Sequence, residues 1–289
     1  EKSQTNGLIL LNNFLISYAM LKQRIIFTLL YDNGNFMLSR NFRLQKVGNV
    51  NWLKKNYNFS HISFFIDELI VLDVTRFGRD INNFSKVLNE LTDGCFVPIT
   101  AGGGVRTLDD AKLLLRSGAD KVSVNTLLFS DLSLVKDLVK NFGKQCVVGS
   151  IDVKKTDYGE YEIWTESGAR FINQDIATLL SFLEKEYIGE VYINSINQDG
   201  TGQGYDLDLL TNIPNNLSIP LILAGGVGNA SHLLKGLKSS KVDAVATAHL
   251  FNFIGDGLKK ARQNILDKNV QLATWKTKEE LKSITGIVK

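Results

Sequence analysis

Eight short apolar runs punctuate the chain, and longer stretches of helical period lie between them. The runs are Ile25–Leu30, Leu69–Val74, Val97–Ala101, Lys121–Val124, Val147–Ile151, Glu190–Ile193, Leu221–Ala224 and Ala244–Ala246. Amphipathic segments include Leu108–Arg116, Leu132–Phe142, Asp175–Tyr187 and Ala230–Leu237. Thr107 and Asn229 stand where helix caps belong, directly before two of these segments. Strands separated by helices pair in parallel. Eight such units in 289 residues predict a closed (βα)8 barrel rather than an open sheet.

An internal repeat points the same way. Gly103-Gly104-Val105 recurs as Gly225-Gly226-Val227, 122 residues on. At the same offset Asp67-Glu68-Leu69 meets Gly189-Glu190-Val191, and Ile25-Ile26 meets Val147-Val148. Two half-barrels, strands one to four copied as five to eight, are the simplest account. A doubly wound sheet with a chance repeat is the alternative.

Composition excludes several classes. The chain is 44% hydrophobic and 22% charged, with 3 Pro and 2 Cys, which rules out disordered, collagen-like and disulfide-stapled proteins. A net charge of +3 makes no demand for nucleic acid or a membrane surface as a partner. Cys95 and Cys146 sit in apolar runs without a CxxC pair, and His61, His232 and His249 are scattered, so no metal or other cofactor is expected. Two unpaired cysteines suit a reducing, cytoplasmic setting. Residues 1–19 read as an extension ahead of Met20, since the apolar stretch at 8–18 is broken by Asn12 and Asn13 and is too short to span a membrane. The barrel is expected over 20–270 and a solvated helical tail over 271–289.

Ligand groups of such a barrel come from the C-terminal ends of its strands. Two glycine clusters fall there, Ala101–Gly104 and Ala224–Gly228. Glycine lets backbone N–H groups approach an anion, and the helix that follows adds its dipole. The next strands end in Ser123-Val124-Asn125-Thr126 and Thr247-Ala248-His249. Each half therefore holds the parts of a phosphate cradle, which suits a phosphorylated small molecule with an anion at each end. Candidate acids and bases are Asp73, Asp152 and Asp199, and Asp152 closes strand five where a catalytic carboxylate would stand. Asp73 could equally hold a neighbouring loop. Asn194 ends strand six, and Thr201 lies in the polar loop 197–202.

RII at 24–26, DELIVLDVT at 67–75, AGGGVRTLDDA at 101–111, GADKVSVNT at 118–126, SIDVKK at 150–155, DGTGQGYDLDL at 199–209 and AGGVGN at 224–229 resemble the cyclase subunit of imidazole glycerol phosphate synthase. The resemblance covers about residues 20–255. It implies a half-repeat barrel that takes ammonia from a glutaminase docked on its N-terminal face. At the other face it implies a lyase that cleaves and cyclises a bis-phosphorylated ribulosyl substrate, as in histidine biosynthesis. It implies phosphate contacts at Gly104, Asn125 and Thr126 in one half. In the other half these fall at Asp199, Gly200, Gly225, Gly226, Ala248 and His249. It also implies an ammonia gate of Arg24, Glu68, Lys121 and Glu190 at the barrel floor.

The sequence departs from the family at the catalytic pair. The family uses two aspartates, and Asp152 matches the second. The repeat offset puts the first at Leu30, and the family's lysine falls on Leu38. Leucine transfers no proton, and loss of one member of an acid–base pair costs about 10²–10⁴-fold in rate. Asp32 could substitute if a register shift or bulge turned it inward. The pattern is similar to a divergent branch found with amidotransferases that make acetamidino sugars of surface glycans. There the barrel supplies ammonia to a sugar amidotransferase. An active cyclase, a non-catalytic scaffold for the glutaminase and a phosphosugar isomerase remain as other readings.

Overall fold

The computed structural model describes residues 22–56, 65–93, 95–249 and 256–273. The proposed extension at 1–19, and all of the proposed tail but residues 271–273, lie outside these, as does His61.

The barrel strands are β1 (Arg24–Asp32), β4 (Glu68–Asp73), β5 (Ile99–Gly102), β6 (Lys121–Val124), β7 (Val147–Lys155), β10 (Glu190–Ser195), β11 (Leu221–Ala224) and β12 (Ala244–Thr247). Each pairs in parallel with the next in that order, and β12 pairs with β1, so the ring closes. The eight strands among the described residues are the eight apolar runs of the sequence, with ends moved by a few residues. This is the (βα)8 barrel with a half-repeat. β4 and β10, and likewise β5 and β11, share their bounds at the 122-residue offset.

Alternation along each strand makes two cores. Outward residues such as Ile25, Phe27, Leu29, Leu69 and Val71 pack with the helices α2 (Ile81–Thr92), α3 (Leu108–Arg116), α5 (Leu132–Phe142), α6 (Ile176–Glu186), α7 (Ala230–Leu237) and α8 (Gly257–Leu266). Inward residues form a smaller cluster of Ile26, Ile70, Val148, Tyr192, Ile222, Ala224, Ala244 and Ala246. Two short helices, α1 (Val50–Asn56) and α4 (Leu127–Ser130), are also present among the described residues. The caps read from sequence are present. The Thr107 hydroxyl accepts from Asp110 N while Asp110 bonds back to Thr107 N, and Asn229 accepts from Ser231 N and His232 N. Each cap is worth about 1 kcal/mol.

Two features depart from the sequence reading. β1 and β7 run on beyond Leu30 and Ile151, because each gains an antiparallel partner on the C-terminal side. β2 (Asn35–Arg40) and β3 (Arg43–Gly48) form a hairpin after β1, and β8 (Tyr161–Thr165) and β9 (Arg170–Ile172) form its counterpart after β7. Below the barrel, Arg262 on α8 grips Asp67 with two bonds of 2.8 and 2.7 Å, and Asp67 also accepts from Ile25 N at 2.8 Å. That buried pair fastens α8 to the start of the sheet.

Candidate active site and barrel floor

Asp152 lies at the C-terminal mouth on the inner face of β7. Its Oδ2 accepts from Asn125 Nδ2 at 3.0 Å, and its Oδ1 faces Asn194 Nδ2 at 3.5 Å. Asn125 is held on both sides: Nδ2 also donates to Ser150 O at 3.0 Å, and Oδ1 accepts from Thr165 Oγ1 at 2.7 Å. Thr165 lies 2.9 Å from the Thr126 hydroxyl, so the β8–β9 hairpin is locked to both phosphate-site candidates after β6. Burial pushes the Asp152 pKa up to about 7, against the two amides, with the Asp199 charge adding to the rise. The group is therefore poised to take or give a proton near neutral pH.

The two matching positions in the other half are apolar. Register shows this directly: Asp152 lies opposite Asn194 on β10, and Leu30 lies opposite Leu72 on β4 at the same offset of 122 residues. Leu30 is buried and pairs with Met37 of the hairpin. Leu38 packs against the outer core. β1 continues without a break to Asp32, so Asp32 shares Leu30's face one step higher. No shift of register in β1 brings it closer; the irregularity lies in β2, between Phe36 and Met37. Its charge is felt by Asp73 and Tyr31 and is not among the causes of the Asp152 shift.

Asp73 sits on an odd position of β4, turned out of the barrel, and is buried. Its Oδ1 accepts from Thr75 N at 2.9 Å, and its Oδ2 lies 3.6 Å from Arg79 Nε. Burial raises its pKa while Thr75 and Arg79 oppose the rise. Of its two sequence readings, the geometry is that of a loop holder. Above it lies the first glycine turn. Gly103 has φ +98°, and a Cβ there would lie 2.0 Å from Asp73 O; one at Gly104 would lie 2.2 Å from Arg79 Cδ. In the second turn Gly225 and Gly226 have φ +93° and +102°, and a Cβ on Gly226 would lie 2.0 Å from Gly204 O. Only glycine fits either turn. Ser123 faces inward on β6 and is buried. Thr201 caps its own turn by donating to Gln198 O at 2.8 Å. Ala248 and His249 follow β12 on the mouth side, and burial lowers the His249 pKa.

Asp199 joins the mouth to the first hairpin. Its carboxylate accepts from the Ser39 hydroxyl and from Phe42 N (3.0 Å), and its carbonyl accepts from Asn41 N at 2.9 Å. Asn41 Nδ2 donates to Ile196 O and Asn197 O. Gly200, at φ +67°, lies against Ser39 O. The β2–β3 tip is thereby tied across the mouth from strand one to strand six, and burial raises the Asp199 pKa.

At the N-terminal end the four gate candidates converge. Arg24 bonds Glu68 at 2.9 Å and also bonds Glu190; Lys121 bonds Glu190 at 2.7 Å and Glu68 at 3.1 Å. Each cation bridges both carboxylates, and Thr100 Oγ1 donates to Glu68 Oε1 at 2.6 Å. The two cations hold the Glu190 carboxyl below its usual range despite burial. The ring is neutral in sum.

Ser39, the Phe42 N–H, Arg79, Thr100 and Thr165 were not legible as site residues. Thr100 carried a signal, a polar residue in an apolar strand run. Thr165 and Phe42 carried none, because a hairpin brings them in. Among the described residues no group of three or more His, Cys, Asp or Glu could hold a metal, and no helix is long and apolar enough to cross a membrane.

The chain is a closed parallel (βα)8 barrel with a buried carboxylate and two glycine turns at its mouth. Residues 47–255 match the family described as "Histidine biosynthesis protein", and the chain belongs to that family. It is 47% identical over 257 residues to "Putative imidazole glycerol phosphate synthase subunit hisF2" of Parasynechococcus marenigrum (strain WH8102), covering 89% of this chain and 95% of that protein.

Proposed function

We propose that the chain is a cyclase-type subunit of the imidazole glycerol phosphate synthase kind that receives ammonia through its barrel from a glutaminase docked on the N-terminal face. In this reading it has lost the cyclase reaction and passes ammonia to a sugar amidotransferase. The observation that carries the reading is the register at the mouth: Leu30 and Leu72 occupy the places that Asp152 and Asn194 hold in the other half. Asp152 therefore lacks the carboxylate that the repeat would place at position 30 in the other half. The charged ring supports the ammonia half of the reading. Four paired charges seal the floor against ions, while a neutral molecule needs only a transient opening.

Two measurements test it. Supplied with ammonium and the bis-phosphorylated ribulosyl intermediate, the chain is expected to turn over at least 10²-fold more slowly than an active cyclase, the loss typical of a missing acid–base partner. Turnover within tenfold would sink the proposal. In the complex with its glutaminase, nitrogen from amide-labelled glutamine should reach the amidotransferase product in preference to unlabelled bulk ammonium; equal use of both would remove the conduit.

A further inference from the structure

The 122-residue repeat extends into the loops above the strands, and there the two halves differ in charge. Gly78 after β4 and Gly200 after β10 match at that offset, and both have φ +67°. Beside them Phe77 stands where the other half has Asp199, and Arg79 where it has Thr201. After the glycine turns, Arg106 stands where the other half has Gly228. The Arg79 side chain lies along the first turn: a Cβ on Gly104 would lie 2.2 Å from its Cδ and 2.9 Å from its Nη1. Beside Gly226 in the second turn the Gly204 carbonyl fills the matching space. Arg79 has donors to spare. Nη2 donates to Thr75 O at 2.6 Å, Nε is buried without a hydrogen-bond partner at 3.6 Å from Asp73 Oδ2, and Nη1 makes no hydrogen bond among the described residues. The acids nearby are committed elsewhere. Asp73 bonds Thr75 N, Asp80 caps α2, Asp110 closes the capping box of α3, and Asp109 pairs with Lys112. A guanidinium with two nitrogens unspent, held against a glycine turn, is short of an acceptor.

We propose that the first glycine turn and Arg79 form the principal anion site of the mouth, and that the ligand is a small molecule anchored there by one phosphate-like group. The phosphate contacts implied by the resemblance fall in both halves and do not include Arg79. A planar guanidinium suits a tetrahedral anion, to which it gives parallel charge-assisted bonds. Glycine leaves the backbone of the turn open to the same anion, and α3 adds its dipole. The second half lacks this cation. Thr201 spends its hydroxyl on Gln198 O, and the charged side chain of that loop is Asp199, an acid bonded to Ser39 and Phe42 N. The site is independent of the ammonia reading, since an anion held beside Arg79 neither requires nor excludes a conduit.

Calorimetric titration of the full chain with inorganic phosphate at low ionic strength is the test. One dominant site is expected, and Arg79→Gln should weaken it at least tenfold, the loss typical of a charge-assisted pair. Arg116→Gln makes the same change of charge on an exposed arginine at the far end of α3 and should leave the affinity within twofold. Two sites of equal affinity, no binding, a loss below tenfold with Arg79→Gln, or an equal loss with Arg116→Gln overturns the proposal. Thermal melting checks that Arg79→Gln folds. Where it does not, wild-type crystals soaked in phosphate decide: an anion bonded to Arg79 at higher occupancy than any at the second turn sustains the site, and any other pattern overturns it. Failure of labelled nitrogen to reach the amidotransferase product would remove the conduit and leave this site standing.

Discussion

Asp152→Asn should stabilise the protein above neutral pH and give no gain in acid. The folded carboxyl titrates at about 7 against an ordinary value of 3.8. Between those values the unfolded chain has released its proton and the folded chain has not. The folded pKa is raised, so this group's contribution is fully present below about pH 4, falls as pH rises to about 7, and is flat beyond. At 1.36 kcal/mol per unit the charged group costs the fold up to about 4 kcal/mol at pH 8. Asparagine removes that cost but offers one oxygen and one NH2 to the two amide donors, Asn125 Nδ2 and Asn194 Nδ2. A mismatched buried amide costs about 1–2 kcal/mol. The variant should therefore gain about 2–3 kcal/mol at pH 8 and be level with or slightly below wild type at pH 4.5. Urea unfolding of both proteins across this pH range measures the difference, and the comparison cancels other titrating groups. A difference that stays constant with pH, or that turns against the variant as pH rises, would refute a buried carboxyl titrating near neutrality.

Leu30→Asp should lower stability by about 2–4 kcal/mol, since it buries a carboxyl between Met37 and Leu72. With Leu38→Lys it should raise turnover of the ribulosyl intermediate with ammonium at least tenfold, read by product formation. Arg24→Met leaves both ring carboxylates with Lys121 alone. A loss of about 2 kcal/mol is expected, below the usual cost of orphaning a buried charge because Lys121 still reaches both. Glu190 has a depressed folded pKa, so wild type's advantage, measured by urea melts, should hold above about pH 4.5 and shrink as pH falls below it. Gly226→Ala, which drives a Cβ onto Gly204 O, should cost several times the roughly 1 kcal/mol expected of Gly34→Ala, where the φ is also positive but the space is open. Thermal melts of the two variants give the comparison.

The barrel was legible because its two signals are local. Apolar runs of strand length and helices with their own caps can be read from neighbours in sequence, and the 122-residue repeat tied the halves together. The hairpins were missed although β2 begins with a usable cue: Asn33-Gly34 is a two-residue turn with both φ values positive. Their strands lie outside the barrel, where burial no longer enforces a clean apolar run. Long-range partners were the larger gap. Asp199 could be placed in a polar loop, but its bonds to Ser39 and Phe42 cross about 160 residues and depend on a turn conformation at Asn41 and Phe42 that their side chains do not announce. The offset that sets Leu30 against Asp152 is legible because strand register copies the repeat, and the same offset sets Leu72 against Asn194.

The two ends of the barrel speak to different costs. At the mouth, leucines at 30 and 72 need no special explanation on stability grounds, since apolar side chains pack the end of a strand well. The floor is the reverse. Arg24, Glu68, Lys121 and Glu190 occupy positions that apolar residues would fill with equal or greater stability, because desolvating four charges consumes most of what their pairing returns. Two carboxylates shared by two cations also resist the piecemeal loss of any one member. In the proposed conduit such a ring would hold back ions while an uncharged molecule passes. Directly above it the interior is lined by Ile26, Ile70 and the small Ala244 and Ala246, with hydroxyls at Thr28 and Tyr192 and a proton-active group at Asp152. For the proposed conduit, an interior of that polarity favours a weak base in its neutral form, and Asp152 is the proton-active group it would meet at the mouth.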